Sequence, residues 1–283
     1  MYIDYESSAG TVCFGGGRDS LFRITGLDGL WLTGRSFQTA AYAGLPGQRV
    51  IGVTEASRTI SISGDLRMDA DSSPYILSSA LTALNQPGKL IFYFPDKTLE
   101  ISCRLSAADQ GDRDPVYQRY VFQFLCDDPY FSDIGNTRIP LYQITGMLSD
   151  TFAFPGMFSG AVIGVTVYYE GTAPTEPVIR ITINAMPPQY PDNGFLIVNE
   201  TTGQQIGLDY IPAAGNVITI DIPSRKIYLQ DGSSLLPYIT DGTFLNGFTL
   251  VPGENSLYVR NFNVLSDAYM ECVYKNQYLE AVW

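Results

Sequence analysis

Residues 48–66 read QRVIGVTEASRTISISGDL, and residues 122–131 read FQFLCDDPYF. In the first stretch, Ile60 and Ile62 alternate with threonine and serine, which is the two-residue period of a strand with one buried face. In the second, alternate positions are apolar until Pro129, which ends the strand because proline has no N–H for the ladder. Both stretches therefore predict half-buried β-strands, the second with an apolar face formed by Tyr120, Phe122, Phe124 and Cys126.

The composition predicts a globular protein that is mostly β. Hydrophobic residues make up 45% of the 283 residues and charged residues only 16%, and the 19 tyrosines and 15 phenylalanines favour strands. Because single cores usually stop growing near this length, we expect two domains. The predicted architecture is a β-sandwich-like domain with one helix over residues 1–138 and a β-sandwich over residues 139–275. Residues 276–283 are expected to form a C-terminal tail that packs back on the first domain.

One helix is predicted within the first domain. Ser73 can cap it, Pro74 suits its first turn, and Asn85 and the Pro87-Gly88 pair end it. Between them, apolar residues recur at helical spacing. The expected buried stripe is Ile76, Leu77, Ala80, Leu81 and Leu84. Residues 107–119 (AADQGDRDPVYQR) follow two strands and predict an exposed hairpin arm, and residues 132–148 are interpreted as a linker.

The second domain repeats a strand-and-turn pattern without a fixed period, which is typical of a sandwich of nine or ten strands. Isoleucines alternate with polar residues in two of its strands, at residues 178–183 and 217–222. Turns are predicted at Thr202-Gly203, at Asp231-Gly232 and over residues 252–255.

The charge pattern excludes several classes of function. The net charge is −12 and the chain has no histidine. Such a chain lacks the basic footprint of a protein that binds duplex DNA or anionic membranes, and it lacks the commonest general base and metal ligand. The first ten residues lack the basic and apolar regions of a signal peptide. Cys13, Cys103, Cys126 and Cys272 have no framework spacing, so we expect four reduced and mostly buried thiols in a protein made in the cytoplasm.

No constellation of residues predicts an enzyme, a metal site or a cofactor. The paired carboxylates are Asp127 with Asp128, Asp69 with Asp71, and Asp209 with Asp221, and we interpret them as acids that cap turns. The Gly15-Gly16-Gly17 run lacks the lysine of a phosphate loop. Glu254-Asn255 and residues 192–194 favour hairpin turns over ligand loops. Candidates for stacking on a sugar are Trp31, Trp283, Tyr168, Tyr169 and Tyr190, with Arg180, Arg225 and Arg260 as the available cations.

Taken together, short motifs along most of the chain resemble the distal tail protein family of long-tailed phages. Each is explained locally by a strand or a turn, and it is their order and spacing that carry the likeness. They are residues 24–30 (ITGLDGL), 47–66, 81–85, 119–131, 177–183, 195–203 (FLIVNETTG), 215–222, 251–255 (VPGEN) and 274–278 (YKNQY).

The resemblance implies a structural virion protein: a six-membered ring formed by the first domain around the DNA exit channel, with a galectin-like sandwich projecting outward. The implied partners are copies of the chain itself, the tail tube protein, the tail-tip or baseplate hub protein and the tape measure protein. The implied location is the virion tail, assembled in the host cytoplasm. The sequence ends soon after residues 274–278, which predicts no added carbohydrate-binding module. The alternative hypothesis is a carbohydrate-binding adhesin or receptor-binding β-sandwich protein.

Overall fold

The computed structural model describes residues 2–15, 21–44, 46–67, 74–113, 116–143, 163–184, 194–260 and 268–281. It divides into two compact units, one comprising Met1–Ile134 with Tyr278–Trp283 and the other Gly135–Gln277. Within the described ranges, no helix is both long and apolar enough to cross a membrane.

Up to Ile134, the described residues of the first unit form ten strands and one helix in the following order. They are β1 (Tyr2–Ser7), β2 (Gly10–Phe14), β3 (Phe22–Asp28), β4 (Arg35–Ala40), β5 (Arg49–Glu55), β6 (Arg58–Arg67), α1 (Pro74–Leu84), β7 (Gly88–Tyr93), β8 (Thr98–Arg113), β9 (Tyr117–Cys126) and β10 (Phe131–Asp133).

The second unit is built from strands and one 3₁₀ turn (Leu236–Tyr238) wherever it is described. The strands are β11 (Thr137–Gln143), β12 (Ile163–Tyr169), β13 (Val178–Ile183), β14 (Phe195–Asn199), β15 (Gln204–Leu208), β16 (Val217–Asp221), β17 (Lys226–Leu229), β18 (Gly253–Arg260) and β19 (Ala268–Tyr274), and a last short strand, β20 (Gln277–Tyr278), follows.

The alternating stretches around Ile60 and Phe124 form neighbouring strands. β6 pairs antiparallel with β9 along its whole length, with Ile60 opposite Phe124 and Ile62 opposite Phe122. All four of these side chains are buried, while the residues between them are more accessible. The predicted alternation is confirmed in both strands. Their pairing with each other was not predicted, because alternation identifies a buried face and not the strand that lies beside it.

The first unit is organised around one sheet that closes on itself. The strand order is β20-β10-β8-β7-β1-β2-β3-β6-β9, and β8 also pairs with β9. The long strand β8 makes this possible: its first part pairs with β7 and its later part with β9. The interior holds an aromatic cluster in which Phe14 lies within about 6.5 Å, centroid to centroid, of four other rings. These are Phe22, Tyr120, Phe122 and Phe124.

The helix α1 is confirmed, but part of its predicted buried stripe is wrong. Leu84 is fully buried, and Leu77 and Ala80 pack against the core as predicted. Leu81 is instead 43% exposed, and Ala83, which was not predicted, is buried. The helix therefore turns a narrower face to the core than its apolar pattern indicates. Ser73 lies outside the described residues, as does the side chain of Ile76.

The second unit is a β-sandwich of nine strands in its described part. One sheet has the order β11-β19-β13-β16-β17 and the other β12-β18-β14-β15. The two predicted isoleucine faces are confirmed, since Ile179 lies opposite Ile220 and Ile181 opposite Ile218, all fully buried. The interpretation of residues 132–148 as a linker is right only in that the boundary between the two units falls there, after Ile134. β10 ends in this stretch, and β11 pairs with β19 as an edge of the five-stranded sheet. Pro140 beside a bulge weakened its strand pattern.

Two buried asparagines hold the turns of the sandwich together. Asn255, in the VPGEN motif, is fully buried, and its side chain accepts from the Val251 N–H (3.0 Å) and donates to the Val251 carbonyl (2.7 Å). Asn199, in the FLIVNETTG motif, accepts from the Thr201 N–H (3.1 Å) and donates to the Thr249 carbonyl (2.9 Å). Glu254-Asn255 is therefore a turn element whose asparagine faces inward.

The predicted fold class is confirmed. The chain is mostly β, with a single α-helix among the described residues, and it has several sheets consistent with β-sandwich folds.

Candidate assembly surfaces

The predicted paired carboxylates do not converge on a catalytic cleft. Asp127 forms an exposed ion pair with Arg104, and Asp128 accepts a hydrogen bond from the Tyr130 N–H at 3.1 Å. Asp221 accepts from the Ser224 N–H at 3.0 Å. Asp221 ends β16 in the five-stranded sheet, whereas Asp209 follows β15 in the other. The interpretation of Asp128 and Asp221 as acids that cap turns is confirmed, while Asp69 and Asp71 lie outside the described residues.

No group of three or more acidic or cysteine residues in the described part of the chain is arranged to hold a metal ion. Gly15 bonds the carbonyl of Phe22 through its N–H (2.8 Å). Gly16, Gly17 and residues 192–193 lie outside the described ranges.

The cysteines fall into two environments. All four are free, and Cys103, Cys126 and Cys272 are buried as predicted. The expectation that the thiols are mostly buried is confirmed. Cys13 is the exposed one, because its side chain lies on the outward face of the short strand β2. Partial desolvation of its sulfur and the neighbouring Asp4 carboxylate nevertheless raise the pKa of the Cys13 thiol to about 11. An exposed thiol held in its neutral form is a poor nucleophile.

Arg58 is a buried cation bound by backbone carbonyls, and sequence reasoning did not single it out. It is 3% exposed, and its guanidinium donates to the carbonyls of Gly29 (2.6 Å), Trp31 (2.5 Å), Pro129 (2.6 Å) and Leu279 (2.5 Å). Its carbon Cζ lies 4.5 Å from the centre of the Phe131 ring. Burial lowers the pKa of this guanidinium, which stays charged because arginine titrates far above neutrality.

The hairpin of β4 and β5 exposes an apolar face. We name this hairpin the arm; it is distinct from the hairpin predicted over residues 107–119. Phe37 lies directly opposite Val53, and Thr39 lies opposite Val50, so these residues share one side of the two-stranded sheet. The exposed fractions of Phe37, Val50 and Val53 are 58%, 57% and 53%. The other side is polar, with Ser36 opposite Thr54 and Gln38 opposite Gly52.

The two strands of the arm are joined at its root by an ion pair. Arg35 and Glu55 face each other across the two strands and form an ion pair at 3.2 Å. Glu55 also raises the pKa of Tyr130, which reaches about 12 chiefly through burial. Beyond this root, β4 and β5 pair only with each other in the described part of the chain.

A second apolar surface lies along α1. A groove of about 590 Å³ is lined by Leu77, Leu81 and Leu105 together with Ser78, Thr82, Asn85 and Gln86. We name it the α1 groove. The exposure of Leu81 that breaks the predicted stripe is explained by its place in this wall.

The aromatic residues considered for sugar binding do not form a shared platform in the described structure. Tyr169 is buried and donates its hydroxyl to the Ala173 carbonyl at 2.6 Å, whereas Tyr168 is 66% exposed on the opposite face of β12. Trp31 is exposed in the first unit. Tyr210 and Tyr238 pair at an interplanar angle of 65°, which is not the coplanar arrangement that stacks on a sugar ring. Trp283 and Tyr190 lie outside the described residues.

Two of the three arginines considered for sugar binding form ion pairs at the surface. Arg225 holds Glu176 through two bonds of 2.6 and 2.8 Å, and Arg180 lies 4.0 Å from Glu271. The side chain of Arg260 is outside the described part.

Comparison with known families decides the assignment of the second unit. Residues 170–278 match the model of the siphovirus-type tail component, C-terminal domain. Over this stretch the chain is similar to the C-terminal domain of siphovirus-type tail components. The resemblance to the distal tail family is thereby confirmed, and the chain is assigned a structural role in a phage tail. No enzyme family is indicated by this match.

Solved structures agree with this assignment at the level of fold. The chain is similar to the phage SPP1 Dit protein, described as a paradigm of the hub adsorption apparatus in phages that infect Gram-positive bacteria. The similarity has a TM-score of 0.68 at 12% identity and covers 98% of this chain and 99% of that one.

The structure of the phage P2 baseplate in its activated conformation with Ca is also similar, at 11% identity, covering 96% of this chain and 97% of that one. Its TM-score of 0.45 adds nothing to the fold assignment. No curated protein matches the chain in sequence.

Proposed function

We propose that this tail component is the subunit of a six-membered distal tail ring. The ring joins the end of the tail tube to the tip or baseplate hub protein and surrounds the path of the exiting DNA. The observation that carries the proposal is the family match over residues 170–278. The likeness of fold to the SPP1 hub protein over nearly the whole chain supports it.

Ring closure requires contacts between unlike surfaces of identical subunits, because a contact between like surfaces stops at a dimer. The first unit offers unlike surfaces in the arm and the α1 groove. Its partners in the proposal are further copies of itself, the tail tube protein, the hub protein and the tape measure protein. The location is the virion tail, with assembly in the host cytoplasm.

The negative charge of the first unit is compatible with a channel through which DNA passes without being bound. Residues 1–134 and 278–283 carry 17 acidic and 11 basic residues, a net charge of −6. Each basic contact to a phosphate adds a salt-dependent holding force, so an acidic or neutral wall lets the duplex pass. In this proposal the ring makes no specific contact with nucleic acid and uses no cofactor.

Electron microscopy of the purified full-length chain, alone and mixed with the tail tube protein of the same phage, tests this proposal. Class averages should show a ring with six-fold symmetry, a central opening and peripheral lobes, stacked on tube ends in the mixture. Two-fold particles without an opening, and no attachment to tube ends, would contradict it.

A further inference from the structure

The arm is an amphipathic hairpin with its apolar face uncovered. Its register places Phe37, Val53 and Val50 on one side, and Ile51, at the bulge between the two pairs, is 64% exposed. A two-stranded hairpin is marginally stable alone, and exposed apolar faces on short sheets mark contact sites. The ion pair between Arg35 and Glu55 joins the two strands of the arm at its root. Beyond this root, the arm pairs with no other strand in the described structure.

The α1 groove provides a surface of complementary character on the same unit. Its wall has three leucines and four uncharged polar side chains. Residues 74–88 contain no charged residue. An apolar face can therefore dock in the groove without leaving a charge buried and unpaired, which would cost several kcal/mol.

We propose that the apolar face of the arm docks in the α1 groove of a second copy of this chain. The two surfaces are unlike, so each copy donates an arm and receives one, which is the head-to-tail contact that builds closed rings. Charge favours the same occupant: residues 31–55 carry a net charge of +1 within a chain of net charge −12, so the arm is attracted to another copy. This contact rests on the proposed ring and names the residues that close it.

Single substitutions in the full-length chain test the apolar face and the polar face of the arm separately. Val53→Asp and Ile51→Asp place a carboxylate on the apolar face, and Thr54→Asp places the same charge on the exposed polar face of the same strand. Leu81→Asp alters the groove, and Ser79→Asp alters the same helix outside the groove wall. All five positions are exposed, so thermal melting should show that every variant stays folded.

Light scattering during size-exclusion chromatography gives the decisive readout. The wild type, Thr54→Asp and Ser79→Asp should form the same oligomer. Val53→Asp, Ile51→Asp and Leu81→Asp should require at least ~10-fold higher concentration to associate, because a buried unpaired charge costs more than 1.4 kcal/mol. Mixing Val53→Asp with Leu81→Asp should restore one intact arm–groove contact. The mixture should therefore form heterodimers of about 62 kDa, twice the 31.1 kDa chain, and nothing larger.

Three results would overturn the inference: oligomers of unchanged size in Val53→Asp and Ile51→Asp, a mixture that stays monomeric, or a wild type that stays monomeric at every concentration. In the first case rings persist with a disrupted arm, so the proposed ring stands and its contact lies elsewhere. Failure of the ring itself would instead appear as wild-type protein that forms no six-fold particle even on tube ends.

Discussion

Arg58 donates a hydrogen bond to the carbonyl oxygen of Leu279 across 221 residues of the chain, at 2.5 Å. The same guanidinium holds the carbonyls of Gly29 and Pro129, so one side chain joins three separate segments of the first unit. The N–H of Ala281 adds a bond to the carbonyl of Leu30 at 2.9 Å. The first unit thus includes the last described residues of the chain, although the whole second unit lies between its two segments in sequence.

Replacing Arg58 should destabilise the first unit strongly. Arg58→Met keeps much of the side-chain volume but leaves four carbonyls without their donor, and we expect a loss of about 3–5 kcal/mol in the free energy of unfolding. Arg104→Met is the matched control, because Arg104 is exposed and pairs with Asp127 at the surface, where the loss should be at most about 1 kcal/mol. Urea unfolding followed by fluorescence measures both. Equal effects of the two substitutions would refute the structural role of Arg58.

Replacing Asn255 should destabilise the sandwich. Its fully buried amide bonds the backbone of Val251 as both donor and acceptor, so Asn255→Ala leaves buried backbone groups unpaired at a cost of about 2–4 kcal/mol. Asn216→Ala is the control, since that side chain accepts a single bond from the Ala213 N–H in a surface turn. Calorimetry should show a clearly lower melting temperature for Asn255→Ala alone. A melting temperature within a degree of the wild type would contradict the account.

The four thiols should react in two classes. In native protein only Cys13 should be alkylated, and slowly, because its raised pKa keeps most of the thiol neutral. Asp4→Asn removes the carboxylate that contributes to this shift and should speed the reaction several-fold at pH 8. Glu6→Gln, on the same strand, should leave the rate unchanged. Mass spectrometry after unfolding without reductant should find four labelled thiols, and a Cys103–Cys126 bridge in freshly made protein would contradict the prediction.

Stability should fall at high pH because buried thiols and phenols are held neutral. Burial raises the pKa of Cys272 to about 12, from about 8.5–9 in an unfolded chain. A group with a raised folded-state pKa stabilises the fold below its unfolded pKa and loses that contribution as pH rises towards the folded value. Between pH 9 and 11, Cys272 alone should remove about 1.4 kcal/mol of unfolding free energy per pH unit.

The variant Cys272→Ala isolates this effect. It should be less stable than the wild type at pH 7, because it leaves a small cavity, yet lose stability more slowly above pH 9. Tyr5, whose pKa is raised to about 12 chiefly by burial, should contribute above pH 10 in both proteins. Parallel pH profiles for wild type and Cys272→Ala would show that this thiol is not held neutral by the fold.

Sequence patterns predicted the features that arise within a single strand or helix. The alternation at Ile60 and Ile62, the helix over Pro74–Leu84 and the isoleucine faces of the sandwich all follow from local periodicity. Strand β11 was missed because Pro140 and a bulge interrupt its pattern. The thiols were expected to be mostly buried, but the sequence did not identify Cys13 as the exposed one, because a local pattern does not show which face of a short strand is covered.

The assembly surfaces were harder to predict because they depend on partners distant in sequence. The arm contains an ordinary strand pattern, and nothing local shows that no layer covers Phe37 and Val53. The sequence around Arg58 does not predict that it bonds four carbonyl groups, since these belong to residues 29, 31, 129 and 279. Charge and composition excluded classes of function without locating a surface.

A cryo-electron microscopy reconstruction of the tail tip of the phage that encodes this chain tests the proposed ring most directly. Six copies should form one ring at the distal end of the tail tube, with the first unit around the channel. Finding the chain as separate copies on fibres, in the capsid, or absent from the tail end would contradict it.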